Sequence, residues 1–274
     1  MPHRAGPVVH AFERLRHARR TALIPFVMGG DPILSMTGPL LLALEDAGAD
    51  LIEVGIPFSD PLADGPIIQE ASARALAHGA TPARVLAAVA SVRHRLRVPV
   101  VCLSYWNLLV QFDGRGAQGS LRAFVRAAQE SGISGVIVPD LPVEEHEPLR
   151  RAAGDTGFST ILLAAPTSPP ERLRAIARSS QGFIYYVSVT GTTGVRRILP
   201  PGLSHGVRQL RLLTTKPICV GFGISTPAQA AAVARIADGV IVGSALIRAI
   251  ERSRGRSAIL RSAETFLRRL RNAV

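Results

Sequence analysis

Eight short apolar runs set the rhythm of this sequence, and each is followed by a stretch with helical spacing. The runs are Ala22–Met28, Leu51–Val54, Pro99–Leu103, Gly135–Val138, Thr160–Ala164, Phe183–Val187, Pro217–Val220 and Gly239–Val242. Brief apolar runs bounded by glycine and proline suit parallel strands buried on both faces. Helical patterns cover 35–47, 67–78, 82–95, 120–131, 144–153, 169–179, 203–213 and 226–234, with two more behind the last run. Strand–helix alternation repeated this often predicts a TIM (β/α)8 barrel, with a doubly wound sheet as the rival. The barrel is favoured because Asp31, Glu53, Asp64, Asp140, Tyr185, Gly223 and Ser244 all fall at or just beyond the C-terminal ends of runs. A barrel gathers those ends on one face. Val8, Val9, Phe12 and Leu15 recur at helical spacing ahead of the first run and predict an extra N-terminal helix. No linker-like tract interrupts the pattern, so one domain over 1–274 is expected.

Hydrophobic residues make up 47% of the chain, enough for a large core. The formal charge of +12 favours anionic partners, but the basic residues are nearly all scattered arginines, and Lys216 is the only lysine. No aromatic–basic interleaving or nucleic-acid motif accompanies them. No run is long enough to span a membrane and the N-terminus lacks a secretory apolar segment, so neither membrane nor export is expected. Cys102 and Cys219 lie in apolar runs and read as buried free thiols, as in a reducing cytoplasm.

The most informative stretch runs from Leu51 to Pro66, LIEVGIPFSDPLADGP. Glu53 sits inside an apolar run, facing the opposite way from Ile52 and Val54 because strand side chains alternate. Gly55 and three prolines then end the strand and stiffen a loop that carries Asp64. Two carboxylates held in such different settings can titrate apart and divide acid and base work. A solvated turn would explain Asp60 and Asp64, but not an acid within an apolar run.

Gly221–Ser225 follows the seventh run and Gly243-Ser244 the eighth, the places where TIM barrels commonly bind phosphate through backbone amides. Gly191–Gly194 adds an amide-rich turn after the sixth. A phosphorylated ligand is therefore expected. Lys216 lies at the start of its strand, on the wrong face for a Schiff base. The seven histidines fall on helices or loops, where solvation is expected, and no metal-ligand cluster appears. Acid–base work by Glu53 and Asp64 remains, with Tyr185 as either a third polar group or a packed core residue. Phe26, Leu103 and Phe222 would be apolar walls. Asp31 and Asp140 are read as turn caps beside prolines, and Tyr105-Trp106-Asn107 as packing.

The Leu51–Pro66 stretch resembles the signature of the tryptophan synthase alpha subunit. So do Pro25-Phe26 with Gly30-Asp31-Pro32, Asp140–Glu145, Gly182–Gly194 and Gly221–Ser225, so the resemblance spans the chain. It implies a TIM barrel and retro-aldol cleavage of indole-3-glycerol phosphate to indole and glyceraldehyde 3-phosphate, a step in tryptophan biosynthesis. By motif position, Glu53 would protonate the indole carbon that bears the side chain and could take the glycerol hydroxyl proton. Asp64 would accept the indole N–H, and Tyr185 would help position Glu53 and substrate. Phe26, Leu103 and Phe222 would line the indole pocket. Gly194, Gly223, Gly243 and Ser244 would bind phosphate, and Thr193 would sit on a closing loop. The family pairs with a beta subunit as an alpha2beta2 heterotetramer. Pyridoxal phosphate belongs to that partner, so no cofactor is expected here, and Pro57–Asp60 would face it. Thr192, Leu108 and the excess of arginine depart from the family's usual pattern. The alternatives are a stand-alone lyase releasing free indole and a non-catalytic anion-binding barrel.

Overall fold

The computed structural model describes residues 5–187, 202–221 and 223–274. Among them eight parallel strands close on themselves in sequence order. They are β1 (Ala22–Met28), β2 (Ile52–Gly55), β3 (Val100–Leu103), β4 (Ile133–Ile137), β5 (Ser159–Ala164), β6 (Ile184–Val187), β7 (Ile218–Gly221) and β8 (Gly239–Val242). Closure is made by β1 against β8, with Ile24 opposite Ile241, while Phe26 lies opposite Glu53 of β2. The expected TIM barrel is therefore the fold.

Helices wrap the barrel: α1 (Pro7–His17), α2 (Thr37–Asp46), α3 (Pro66–Ala77), α4 (Pro82–Ala90), α5 (Trp106–Val110), α6 (Gly116–Glu130), α7 (Glu147–Ala153), α8 (Pro170–Ser179), α9 (Leu203–Arg211), α10 (Pro227–Ala234), α11 (Ser244–Glu251) and α12 (Arg256–Arg271). Proline at the first turn opens several, where its missing N–H has no helical partner to lose. Helix α1 is the expected N-terminal addition. It buries Val8, Phe12 and Leu15, and its Phe12 ring meets Phe183 at 5.6 Å, at the edge where β6 begins. Helix α5 was not expected. It is a single short turn whose opening amide, Trp106 N–H, donates to the Asp140 carboxylate at 2.9 Å. The helix expected over 82–95 ends at Ala90, and the glycine-rich stretch before Ser120 is already helical from Gly116.

The strand-entry end is held by charge-assisted caps. Asp50 Oδ2 accepts from the Leu23 amide at 2.9 Å and from Arg271 at 2.7 Å. Asp238 does the same for the Ile218 amide, at 2.8 Å, and for Arg211. Lys216 is indeed at this end. Its Nζ donates to the carbonyls of Ala177, Arg178 and Ser180 at 2.7–2.8 Å, capping the C-terminus of α8. Three donors on one compact ammonium match three convergent carbonyls, a geometry a planar guanidinium lacks.

One histidine breaks the expectation of solvation. His146 is buried at 2% exposure, and its Nε2–H donates to Thr160 Oγ1 at 2.8 Å while that hydroxyl donates to Gln181 Oε1 at 2.9 Å. Burial, helped by the Arg150 charge, lowers its pKa from 6.5 to about 4. Unfolded, the imidazole takes a proton near pH 6.5; folded, it resists until about pH 4. The stabilisation is thus complete above pH 6.5 and is lost as pH falls through that window. Urea melts at pH 7 and pH 5 should show the parent losing more stability than His146→Gln; equal losses would show that this imidazole does not set the acid limb.

Candidate active site

Strand alternation decides what enters the barrel mouth. Ile52 and Val54 point to the helices and are wholly buried, so Glu53 between them points inward. With Phe26, Leu103, Leu163, Tyr185 and Ile241 it lines a cavity of about 290 Å³ at the strand C-terminal ends. Phe26 reaches so close to β2 that a Cβ at Gly55 would stand 2.7 Å from its ring. Gly221 makes the matching allowance for Tyr185, whose hydroxyl would lie 2.4 Å from an added Cβ. Glycines at two strand ends thus admit aromatic groups into the mouth.

Glu53 is 1% exposed, and neither carboxyl oxygen has a hydrogen-bond partner among the described residues. Desolvation first, and the nearby Asp64 charge second, raise its pKa from 4.5 to about 8. Asp64 approaches from the loop after β2. Burial raises its pKa to about 6, opposed by a hydrogen bond that favours the ionised form. That bond comes from Tyr105, whose hydroxyl donates to Asp64 Oδ2 at 3.0 Å and accepts from the Ala63 amide at 3.1 Å. The Tyr105 ring also stacks on Phe58, 5.1 Å away on the same loop. Two neighbouring carboxyls therefore differ by about two pKa units, and near neutral pH one is mostly protonated and the other mostly ionised.

Helix α3 anchors the Asp64 loop. Ser72 Oγ donates to the Phe58 carbonyl at 2.8 Å and accepts from the Phe58 amide at 2.9 Å. Gln69 donates to the Asp64 carbonyl at 2.9 Å. Across the cavity, Gly223 adopts φ +75°, open to glycine, and Gln229 Oε1 accepts from the Ser225 and Thr226 amides at 2.9 and 3.1 Å. Gly243 and Ser244 stand at the start of α11, where free amides and the helix dipole favour an anion.

Of the residues expected from sequence, Glu53, Asp64, Tyr185, Phe26, Leu103, Gly223, Gly243 and Ser244 share this cavity. Phe222, Thr193 and Gly194 lie outside the described residues. Tyr105, read as packing, holds Asp64, and Asp140, read as a turn cap, holds the short helix behind Tyr105. The hydrogen bond that Tyr105 donates to Asp64 could not be seen in sequence, because the two residues lie on different loops. Among the described residues no group of three His, Cys, Asp or Glu side chains lies close enough to share a metal ion, and no helix is long and apolar enough to cross a membrane.

The family model for the tryptophan synthase alpha chain matches residues 12–274. The tryptophan synthase alpha chain of Gloeobacter violaceus is 48% identical over 269 residues, covering 98% of this chain and 95% of that one. That of Prochlorococcus marinus is 47% identical, covering 96% and 93%. Among solved structures, tryptophan synthase subunit alpha of Legionella pneumophila superposes with a TM-score of 0.88 at 36% identity, covering 98% of each chain. Tryptophan synthase of Mycobacterium tuberculosis gives 0.88 at 34% identity, again covering 98% of each chain. With these matches running almost end to end, the chain belongs to the tryptophan synthase alpha chain family.

Proposed function

We propose that Glu53 and Asp64 together carry out the reaction of this family, cleavage of indole-3-glycerol phosphate to indole and glyceraldehyde 3-phosphate. Family membership makes the chain a carbon–carbon lyase of tryptophan biosynthesis that works with a beta subunit. The observation that carries the assignment is Glu53, buried without a hydrogen-bond partner among the described residues and beside Asp64 in a largely apolar cavity, where burial raises its pKa to about 8 and that of Asp64 only to about 6.

The indole ring lies between Phe26 and Leu103, and the phosphate rests on Gly223, Gly243 and Ser244; the family resemblance adds Phe222 to the indole-binding set, Gly194 to the phosphate-binding set and Thr193 to a closing loop. Glu53, as the acid, delivers a proton to the ring carbon that bears the side chain, giving an indoleninium cation. Asp64 accepts the ring N–H and balances that positive charge. The bond between ring and side chain then breaks, its electron pair returning to the ring as the glycerol hydroxyl becomes the aldehyde. Glu53, now ionised, takes the hydroxyl proton and is ready for another turn. Tyr185 keeps Glu53 and substrate aligned. Only side chains take part, and pyridoxal phosphate stays with the beta subunit of an alpha2beta2 assembly. The whole of 1–274 serves as one barrel domain, working in the cytoplasm.

Purified chain incubated with indole-3-glycerol phosphate, alone and with a beta subunit, should release indole; no release in either case would overturn the function. Glu53→Gln should lower kcat by roughly two to four orders of magnitude while KM stays within a fewfold. The same change should stabilise the fold. Glu53 keeps its proton to about pH 8 when folded but only to 4.5 when unfolded, so stability falls as pH rises through that window. Glu53→Gln should therefore melt a few degrees above the parent at pH 8, with the gap closing towards pH 4.5. The profile of kcat/KM should rise as Asp64 ionises near pH 6 and fall as Glu53 loses its proton near pH 8. A flat profile from pH 5 to 9 would exclude this division of labour.

A further inference from the structure

An ion pair at the β1 loop, buried at its carboxylate and half-buried at its guanidinium, has no part in the chemistry above. Asp31, on the loop that leaves β1, is 3% exposed and holds both carboxylate oxygens in one guanidinium fork. Arg74 Nε donates to Oδ1 at 2.8 Å and its second nitrogen to Oδ2 at 3.0 Å. The remaining nitrogen of Arg74 donates to Glu251 at 2.9 Å. One guanidinium thus ties three elements that each serve the cavity. The loop of Asp31 continues the strand that carries Phe26. Helix α3, which bears Arg74, holds the Asp64 loop through Gln69 and Ser72. Helix α11, which ends at Glu251, begins at Ser244.

The seat is close as well as charged. Gly30, beside Asp31, adopts φ +93°, and a Cβ there would stand 2.7 Å from Ala80 and 3.3 Å from Ala75. Its amide donates to Thr37 at 2.9 Å. Glycine at this position therefore lets α3 and the residues just after it press onto the β1 loop, and the fork ties the helix to that loop. Planar, bidentate donation to a buried carboxylate is a task for arginine that lysine cannot repeat.

We propose that Arg74 is a positioning residue for the cleavage: by gripping Asp31 it seats α3, and through α3 it sets where Asp64 stands in the cavity. The proposal rests on the role given to Asp64 above. Errors of about 1 Å in placing a reacting group can cost on the order of a hundredfold in rate.

The test compares Arg74→Gln, Asp31→Asn, the double variant and Arg74→Lys, each as the complex with the beta subunit and well below its melting temperature. Each single change should lower kcat about ten- to a hundredfold with KM within about threefold. The double variant should fall no further than the worse single, because both remove the same seat. Arg74→Lys should follow Arg74→Gln rather than the parent. Carboxyl carbon NMR should place the Asp64 titration near pH 6 in the parent and lower in Arg74→Gln, as the group leaves its buried position. Singles that keep kcat within about twofold while melting earlier would show a merely structural pair, and additive losses would show two unconnected effects; either overturns the proposal. Should the parent release no indole, the proposed function fails, and the NMR titration alone then decides, an unmoved Asp64 overturning the present claim.

Discussion

The desolvated carboxyl of Glu53 costs the fold stability at neutral pH, and much of the architecture serves to keep it buried and, among the described residues, without a hydrogen-bond partner. A closed barrel is what permits this. Each strand has a neighbour on both sides, so backbone groups are satisfied without help from the side chains inside. An inward residue near a strand's end then meets side chains of other strands and of the loops that follow them. For Glu53 these are largely apolar, and the unfavourable transfer from water appears as a proton held several pH units beyond the ordinary range.

The second carboxyl is treated differently, and the difference is built from hydrogen bonds. Asp64 sits on a loop rather than in a strand, yet that loop is fastened at the Phe58 backbone by Ser72 and at its own carbonyl by Gln69. Tyr105 donates to its carboxylate, which stabilises the ionised form. Behind Tyr105 stands the short α5, whose free amide is answered by Asp140. Polar groups in this half of the mouth form a chain in which each partner fixes the next, so Asp64 arrives already oriented.

The sequence made some of this legible and hid the rest for definite reasons. Glu53 stood out because an acid within a strand-like run violates the expected pattern, and such violations concentrate at functional sites. Strand count and the placing of polar residues at strand ends led to the barrel. Asp31 did not stand out, because next to proline it reads as an ordinary turn residue, and its partner Arg74 lies 43 positions away on another element. His146 looked like one more surface histidine, since its burial depends on Thr160 and Gln181 from separate segments. Helix α5 was hidden because its N-terminal cap comes from Asp140, 34 residues downstream, rather than from a local Ser, Thr or Asp. Contacts made by the closing of the barrel leave little local trace.

Gly221, Gly55 and the aromatic rings they admit have so far been matters of space, but the proton on Glu53 is also a matter of charge. Near pH 7 the mouth carries one negative carboxylate instead of two. A phosphate ester approaching the Ser244 amides, where it is proposed to bind, therefore crosses a weaker repulsive field than the residue types alone would set up. The substrate brings its own negative charge, and the enzyme has already given up one of its own to let it in.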